Sequence, residues 1–199
     1  MKRLLLAGAG HAHLHVLKTL AAARWPEVEV VLVSPYTRQI YSGMVPGWIA
    51  GHYTLDQCAA ELPPLVQRAG VRFIEGSVTA LDAARRIVTT SSGEEIAYDV
   101  LSLDTGAVVD HTVLAGSGAA LLPIRPLESF VAGWETQLAA FKQQGTANLV
   151  VVGGGAAGVE LVLAVRYRLA KELGAGASHV HLVAGGGLLN GHADRKSVV

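Results

Sequence analysis

Residues 4–13 of the chain read LLLAGAGHAH, and residues 149–160 read LVVVGGGAAGVE. In each stretch a short apolar run, typical of a buried parallel strand, leads through a glycine-rich turn into a helical segment. A nucleotide pyrophosphate binds to backbone N–H groups at a helix N-terminus, and glycine in the turn removes the Cβ atoms that would block its approach. One such motif is weak support, but two in one chain predict a protein that binds two dinucleotides.

The composition excludes several functional classes. The chain has 199 residues, of which 51% are hydrophobic and 16% charged, so it can bury a sizeable core. Its 16 basic and 16 acidic residues cancel, and we expect no nucleic-acid partner. The single cysteine, Cys58, fits a reducing compartment, and we expect a cytoplasmic protein. The apolar run of residues 149–165 holds four glycines and Glu160 and is too short for a membrane span, so we expect no transmembrane segment.

The pattern of the first 106 residues predicts an α/β fold with a parallel sheet and a β-meander in place of one crossover helix. Residues 34–51 are predicted to form an irregular loop. The capping-box spacing of residues 54–57 predicts the start of a helix that Pro63 and Pro64 break or kink. The other predicted elements are strands at residues 4–7, 29–33, 71–74 and 100–103, a helix at 11–24, and meander strands at 78–81, 86–90 and 95–98.

The second part of the chain repeats the strand–turn–helix pattern after a linker over residues 110–126. Only two strands follow residue 145, and a doubly wound sheet has more, so we expect the chain to be the N-terminal portion of a longer protein. The predicted elements are helices at 127–142 and 157–173, the latter ending at Gly174, and strands at 149–152 and 179–183.

Both glycine turns depart from the usual dinucleotide fingerprint. Position 13 carries His13 instead of the third glycine, which either loosens the contact between helix and strand or requires a local adjustment. An acidic residue usually holds a ribose at the end of the second strand, but the first unit has Ser34 there and the second has Ala184 or Gly185. Serine can still accept one ribose hydrogen bond. In the second unit, the missing acid leaves the choice between NADH and NADPH open.

Three alternating histidines suggest a metal site, which the spacing does not support. His11 and His15 share a helix face, but His13 does not. No carboxylate or cysteine nearby completes a ligand set, and metal-binding histidines need orienting partners. We therefore predict no metal site and interpret these side chains as polar groups near the phosphates or on the surface.

Four segments together resemble a known family. They are the turn at Gly8 and Gly10, residues 41–47 (YSGMVPG), residues 98–106 (YDVLSLDTG) and the turn at residues 153–160. Their order resembles the FAD-dependent pyridine nucleotide-disulfide oxidoreductase superfamily, whose members have two dinucleotide-binding domains. Within this superfamily, the chain is similar to the branch of type II NADH dehydrogenases and sulfide:quinone reductases, because it lacks a redox cysteine pair. Residues 10–13 and 41–52 are most similar to the oxidoreductase module associated with selenide water dikinase.

The resemblance implies a domain organisation and a reaction. Residues 1–110 would form a Rossmann-like FAD-binding domain with a β-meander insertion, lacking its C-terminal return segment. Residues 111–145 would be a linker and helix, and residues 146–199 an incomplete second Rossmann-like unit that binds NAD(P). Hydride would pass from NAD(P)H to FAD, and electrons would leave to a quinone or another small-molecule acceptor. Relatives that reduce quinones contact membranes peripherally through C-terminal elements, and a functional link to selenide water dikinase is implied.

The resemblance and the fingerprint together assign two sets of cofactor-binding residues. Residues 41–47 would lie along the flavin ring, Thr105 and Gly106 beside FAD, and Val78 near the adenine. Glu160 has two interpretations that stay open, a carboxylate favoured by the helix dipole and a group that orients nicotinamide against flavin. The FAD set is Gly8, Gly10, His11, Ala12, His13, Ser34, Pro35, Ser42, Gly43, Met44, Val78, Thr105 and Gly106. The NAD(P) set is Gly153, Gly155, Ala156, Ala157, Gly158 and Glu160.

Two other functions compete with this hypothesis. The chain could belong to a non-catalytic dinucleotide-binding or regulatory module linked to selenium metabolism, which the missing ribose acids favour. It could also belong to a monooxygenase-like flavoprotein with one dinucleotide site, against which the second glycine motif argues. Cys58 has no partner and is interpreted as a buried structural thiol.

Overall fold

The computed structural model describes residues 1–110, 112–114, 116, 118, 120–174 and 176–189. The described residues form two compact units, one within 1–40 and 59–117 and the other within 41–58 and 118–199. In chain order the elements are β1 (Lys2–Ala7), α1 (His11–Ala22), β2 (Val28–Ser34), β3 (Arg38–Ile40), α2 (Val45–Ala50), β4 (Ala59–Glu61), α3 (Leu62–Ala69), β5 (Arg72–Glu75), β6 (Val78–Asp82), β7 (Ile87–Thr90), β8 (Glu95–Ala97), β9 (Val100–Leu103), α4 (Leu127–Gln144), β10 (Ala147–Val152), α5 (Ala156–Leu173) and β11 (Ser178–Val183).

The first unit is built on a four-stranded parallel sheet in the order β5-β2-β1-β9. Helices α1 and α3 cover one face, where Leu6 and Leu32 pack against buried residues such as Leu17. The antiparallel meander β6-β7-β8 covers the other face, where Leu5 packs against Val88. Because both faces are covered, β1 over residues 4–7 and β2 over residues 30–33 are continuous apolar runs rather than alternating ones. The predicted α/β fold with a parallel sheet and a β-meander is confirmed.

The predicted irregular loop over residues 34–51 is wrong. This segment contains strand β3, a 3-10 helix over Ser42–Met44 and the short helix α2. Strand β3 forms because it pairs with β4, about twenty residues further along the chain, which no local pattern reveals. Helix α2 has proline in its first turn, buries Trp48 and Ile49, and ends at Gly51 in the left-handed conformation.

The helix predicted to start near residue 54 and to break at the prolines is also wrong. Residues Asp56–Cys58 form a 3-10 turn and lead into β4, and α3 begins only at Leu62. Pro63 and Pro64 thus lie in the first turn of α3, where a missing backbone N–H removes no intrahelical hydrogen bond. Part of the capping box does form, since the Thr54 N–H donates to the Gln57 Oε1 at 2.9 Å.

The second unit pairs two parallel strands, β10 and β11, and joins them through α5. Helix α2 packs against α5, and the long helix α4 buries Phe130, Trp134 and Phe141. Lys142 on α4 and Arg168 on α5 both form ion pairs with Glu172, at 2.8 and 2.7 Å. These contacts fix the helices that precede and follow the second glycine turn.

Candidate functional site

The first glycine turn lies at the carboxyl end of β1, between β2 and β9. The parallel register pairs Ala7 with Leu103, so the next residue of that strand, Asp104, comes to lie beside the turn. The Asp104 N–H donates to the Ala7 carbonyl at 2.8 Å, and the Gly10 N–H donates to the Asp104 carbonyl at 3.2 Å. The other side of the turn is fixed by the Gly8 N–H, which donates to Val33 at 2.8 Å. In parallel α/β sheets ligands bind at this end of the strands.

The carboxylate of Asp104 caps the N-terminus of α1. Its Oδ2 accepts hydrogen bonds from the backbone N–H groups of Ala12 at 2.9 Å and His13 at 3.2 Å. These are the second and third residues of the helix, whose N–H groups have no intrahelical partner. The N-cap itself is Gly10, which has no side chain to serve them, so Asp104 replaces it. A Cβ atom at position 10 would overlap the Asp104 carboxyl group, so glycine at this position lets the carboxylate reach the helix.

His13 joins the turn to the sheet. Its side chain is 1% exposed, with Nδ1 at 2.6 Å from the Gly8 carbonyl oxygen and Nε2 at 2.8 Å from the Ser102 hydroxyl. A carbonyl only accepts, so Nδ1 donates to Gly8, and Nε2 shares a second hydrogen bond with the Ser102 hydroxyl. The ring is thus the local adjustment that replaces the third glycine. His11 and His15 are exposed, and among the residues that the structure describes no cluster of metal-ligating side chains forms.

The remaining candidates of the first unit lie around this turn or in the meander. The Ser34 hydroxyl is buried, donates to the Tyr36 carbonyl at 3.2 Å and accepts from its N–H at 3.4 Å, so it closes a local turn. Pro35, Thr105 and Gly106 are exposed. Val78 begins β6 and packs its side chain on the core beneath the sheet.

Residues 41–53 belong to the second unit and contain the 3-10 helix and α2, with aromatic rings at both ends. Ser42, Gly43 and Met44 make a 3-10 helix, and a Cβ atom at Gly43 would lie 3.0 Å from the ring of Tyr41. At the other end of the segment, His52 contacts the ring of Tyr167 on α5, with 5.2 Å between ring centroids. The segment is therefore held on the helix that follows the second glycine turn.

The second glycine turn is open where the first is filled. Gly153 has a φ of +130°, and a Cβ atom at Gly158 would overlap the Gly153 carbonyl oxygen, so α5 packs closely on the turn. Around Gly155 no described atom lies within 4 Å of the position of a Cβ atom. Within the described part of the chain, no side chain caps the N–H groups of Ala156 and Ala157. Their donors are thus available to an anion. Glu160 lies one turn further along α5 and is exposed.

The segment that follows β11 packs against this turn. The Leu189 N–H donates to the Gly154 carbonyl at 2.7 Å, and a Cβ atom at Gly154 would lie 2.7 Å from the Cβ of Ala184. Ala184 is the first residue after β11, where the fingerprint usually has an acid. The described residues at this strand end therefore supply no carboxylate for a ribose.

Two ionisable groups in the second unit have shifted pKa values. Burial raises the pKa of the Cys58 thiol, because the charged thiolate loses its hydration. A hydrogen bond from Lys142, with further support from Arg168, lowers the pKa of Glu172. Neither group lies at a glycine turn in sequence.

Asp104 was not among the residues that the sequence patterns assigned to the site. The available signal was the position of Asp104, directly after a predicted core strand and before Thr105 and Gly106, which were assigned to the FAD site. An acid at such a position is unexpected on charge grounds beside an expected pyrophosphate. Its contact with α1 could be found only from the β1–β9 register, which brings together residues about ninety positions apart.

None of the helices in the described part of the chain combines the length and the apolar character that a membrane span needs.

The family model for pyridine nucleotide-disulphide oxidoreductases matches residues 2–194. An NADH dehydrogenase-like protein of Mycobacterium tuberculosis is 31% identical over 183 residues, which is 85% of this chain and 43% of that protein. An alternative NAD(P)H-ubiquinone oxidoreductase of Arabidopsis thaliana is 27% identical over 84% of this chain and 36% of its own length.

Solved structures show the same fold. NDH2 of Plasmodium falciparum superposes with a TM-score of 0.76 at 14% identity, over 93% of this chain and 42% of its own. The sulfide:quinone oxidoreductase of Aquifex aeolicus gives a TM-score of 0.71 at 17% identity, over 92% of this chain and 43% of its own. The chain thus spans less than half the length of these relatives. Because the family model covers nearly the whole chain, the chain belongs to the pyridine nucleotide-disulphide oxidoreductase family.

Proposed function

We propose that the protein is an FAD-dependent oxidoreductase that passes a hydride from NAD(P)H to the flavin and electrons on to a quinone or another acceptor. The observation that carries the proposal is the pair of strand–glycine–helix turns, at residues 8–13 and 153–158. Two such turns provide one dinucleotide site for each cofactor. The family match over residues 2–194 supports the same assignment.

The first turn has the donors that an FAD pyrophosphate needs. The N–H groups of Ala12 and His13 already bind one anionic group, the Asp104 carboxylate, which shows that this helix N-terminus accepts negative charge. Gly8 and Gly10 would border the pyrophosphate. By resemblance, the FAD would also contact His11, Ser34, Pro35, Ser42, Gly43, Met44, Val78, Thr105 and Gly106.

The second turn would hold the pyrophosphate of NAD(P)H. Gly155 leaves open space, and the N–H groups of Ala156 and Ala157 are uncapped by described side chains, while Gly153 and Gly158 shape the turn. Ala184 neither repels a 2′-phosphate nor supplies a cation for one, so this residue selects neither NADH nor NADPH. The Glu160 carboxylate would either be stabilised by the helix dipole alone or also orient the nicotinamide.

When bound, FAD supplies the chemistry by accepting two electrons as a hydride and releasing them to the acceptor. The chain's own residues position the cofactors through backbone N–H groups. The finer parts of the proposal rest on resemblance: residues 1–110 form the FAD domain, 111–145 a linker and helix, and 146–199 the beginning of the NAD(P) domain. They also include a quinone acceptor, peripheral membrane contact through a C-terminal part, a cytoplasmic location and a link to selenide water dikinase.

Anaerobic titration of the purified flavoprotein with NADH and NADPH tests the proposal. We expect reduction to bleach the flavin absorption, and Gly155→Trp to abolish bleaching because the indole would fill the open space at the second turn. Gln143→Trp, at an exposed position on α4, is the matched control and should bleach normally. Unchanged reduction kinetics in Gly155→Trp would overturn the assignment of this turn. Reoxidation by a quinone, compared with other acceptors, tests the acceptor, and copurification tests the link to selenide water dikinase.

One observation favours a second candidate function. The Asp104 carboxylate lies where the first pyrophosphate would bind, and Ser34 and Ala184 stand where ribose-binding acids are usual. A non-catalytic dinucleotide-binding or regulatory module linked to selenium metabolism would tolerate these changes. A bound flavin that NAD(P)H bleaches would contradict this alternative.

A further inference from the structure

We propose that Asp104 is an internal competitor of the FAD pyrophosphate, whose carboxylate must leave the first glycine turn before the cofactor binds. This inference rests on the proposed function, because it concerns the same FAD site. It names Asp104 as the residue that sets the affinity of the site for FAD.

The carboxylate occupies the donors that a phosphate would use. Oδ2 of Asp104 accepts from the N–H groups of both Ala12 and His13, at 2.9 and 3.2 Å. These two groups lie in the first turn of α1, directly after the glycine turn, where nucleotide phosphates bind in folds of this type. Each N–H has a single hydrogen, so a phosphate oxygen and the carboxylate cannot both bind it well.

The carboxylate also fills the space that the second glycine opens. In a dinucleotide fingerprint, glycine at this position lets the pyrophosphate approach the backbone. Here the space beside Gly10 holds both carboxyl oxygens of Asp104, so even a Cβ atom would overlap them. The chain thus uses the approach route of the cofactor for one of its own side chains.

Charge makes joint occupancy unfavourable. A pyrophosphate at these donors would lie in contact with the carboxylate, and like charges at such distances repel strongly in a partly buried site. The backbone of Asp104 is fixed by hydrogen bonds to Ala7 and Gly10. Rotation of the side chain about its Cα–Cβ bond is therefore the simplest way to release the donors, with the backbone unmoved.

A competitor and a purely structural cap predict different results. A cap that only stabilises α1 would give a loss of stability in Asp104→Ala and no gain in FAD affinity. A competitor predicts two opposite changes in Asp104→Ala: the stability of the apoprotein falls, while its affinity for FAD rises. Asp104→Asn separates the two roles further, because the amide oxygen still accepts the helix N–H groups but carries no charge.

The experiment measures binding of FAD, ADP and adenosine to the apoprotein by calorimetry, together with thermal unfolding without ligand. We expect Asp104→Asn and Asp104→Ala to bind FAD and ADP roughly tenfold more tightly than the wild type, with adenosine binding unchanged because adenosine has no phosphate. The gain should shrink at high salt, since screening weakens the repulsion. Asp104→Ala should also unfold about 2–4 °C lower, from loss of the cap.

Asp99→Asn is the matched control. Asp99 lies in the same unit, and its Oδ2 accepts a backbone N–H, that of Arg3 at 2.6 Å, away from the glycine turn. This variant removes the same charge and should leave FAD affinity unchanged; an equal gain in Asp99→Asn would overturn the inference by attributing it to net charge.

The outcomes also distinguish this inference from the proposed function. If the wild type binds FAD and both Asp104 variants bind it equally or more weakly, the competitor role is overturned and the proposed function stands. If none of the proteins binds FAD or ADP, both are overturned. If only the Asp104 variants bind FAD measurably, the inference is supported, and the native carboxylate is strong enough to keep the site closed.

Discussion

The two glycine turns follow the same sequence rule and reach different structures. At the first, Asp104 caps the helix and the His13 ring replaces the third glycine, with two hydrogen bonds that close the turn. At the second, Gly158 lets the helix pack directly on Gly153, and no described side chain caps the helix. The comparison teaches that a glycine motif specifies a backbone path, while a residue elsewhere in the chain, here Asp104, determines whether a described side chain occupies the N–H groups of the following helix.

The largest effect is expected from placing a methyl group at the third position of the second turn. Gly158→Ala would push a Cβ atom into the Gly153 carbonyl oxygen, and because that neighbour is backbone, α5 must shift. We expect a loss of about 3 kcal/mol in the free energy of unfolding, measured by denaturant titration.

The control for this change is Gly155→Ala, where the new methyl group meets no described atom within 4 Å. It should cost less than about 1 kcal/mol, since only the N-cap preference changes. Equal losses in the two variants would show that the close packing at Gly158 does not distinguish the turns.

The third position of the first turn gives the next largest effect. His13→Ala removes a buried ring together with its hydrogen bonds to Gly8 and Ser102. We expect a loss of about 2 kcal/mol, from the cavity and the unpaired polar groups. The exposed His15 is the control, and His15→Ala should change stability by less than about 0.5 kcal/mol. An unchanged free energy of unfolding in His13→Ala would contradict the role of the ring in closing the turn.

The smallest effect concerns the helix of the second turn and depends on pH. The pKa of Glu172 is lower in the folded state than in the unfolded state. Its ion pairs therefore contribute their full stability above the unfolded pKa of about 4.3. This contribution disappears as the pH falls through the folded-state pKa. Glu172→Gln should therefore cost about 0.5 kcal/mol at pH 7 and nothing in strong acid.

Thermal unfolding of both proteins between pH 7 and pH 3 measures this difference. Glu135→Gln, at an exposed position on α4, controls for the loss of a carboxylate and should match the wild type throughout. A Glu172→Gln deficit that persisted in acid would assign the effect to packing rather than to charge.

The parts of the fold that depend on neighbouring residues could be predicted from the sequence. About twenty consecutive residues determine the apolar run of β1, the glycine turn and the helix α1. The meander is likewise indicated by the turn residues between its strands. The β3–β4 pair could not be predicted, because each strand has only three residues and its partner lies in another segment. The position of α3 depended on whether Pro63 and Pro64 end a helix or begin one, and either is compatible with proline.

The candidate sites divide in the same way. Gly8, Gly10, Gly153 and Gly158 were identified because the motif itself requires them. The partner of Ala12 and His13 was not, because Asp104 reaches them only through the pairing of β1 with β9. Likewise, the engagement of Ser34 in a turn with Tyr36 depends on backbone geometry that residue identity does not reveal.

Gly155 carries information of another kind. Its backbone angles suit any residue, and among the described atoms none lies close enough to exclude a side chain. Folding alone therefore leaves this position free to vary, unlike Gly158, whose identity the chain enforces on itself. Under the proposed function, the glycine at position 155 would serve the approach of the cofactor, whereas the glycine at position 158 serves the packing of the chain itself.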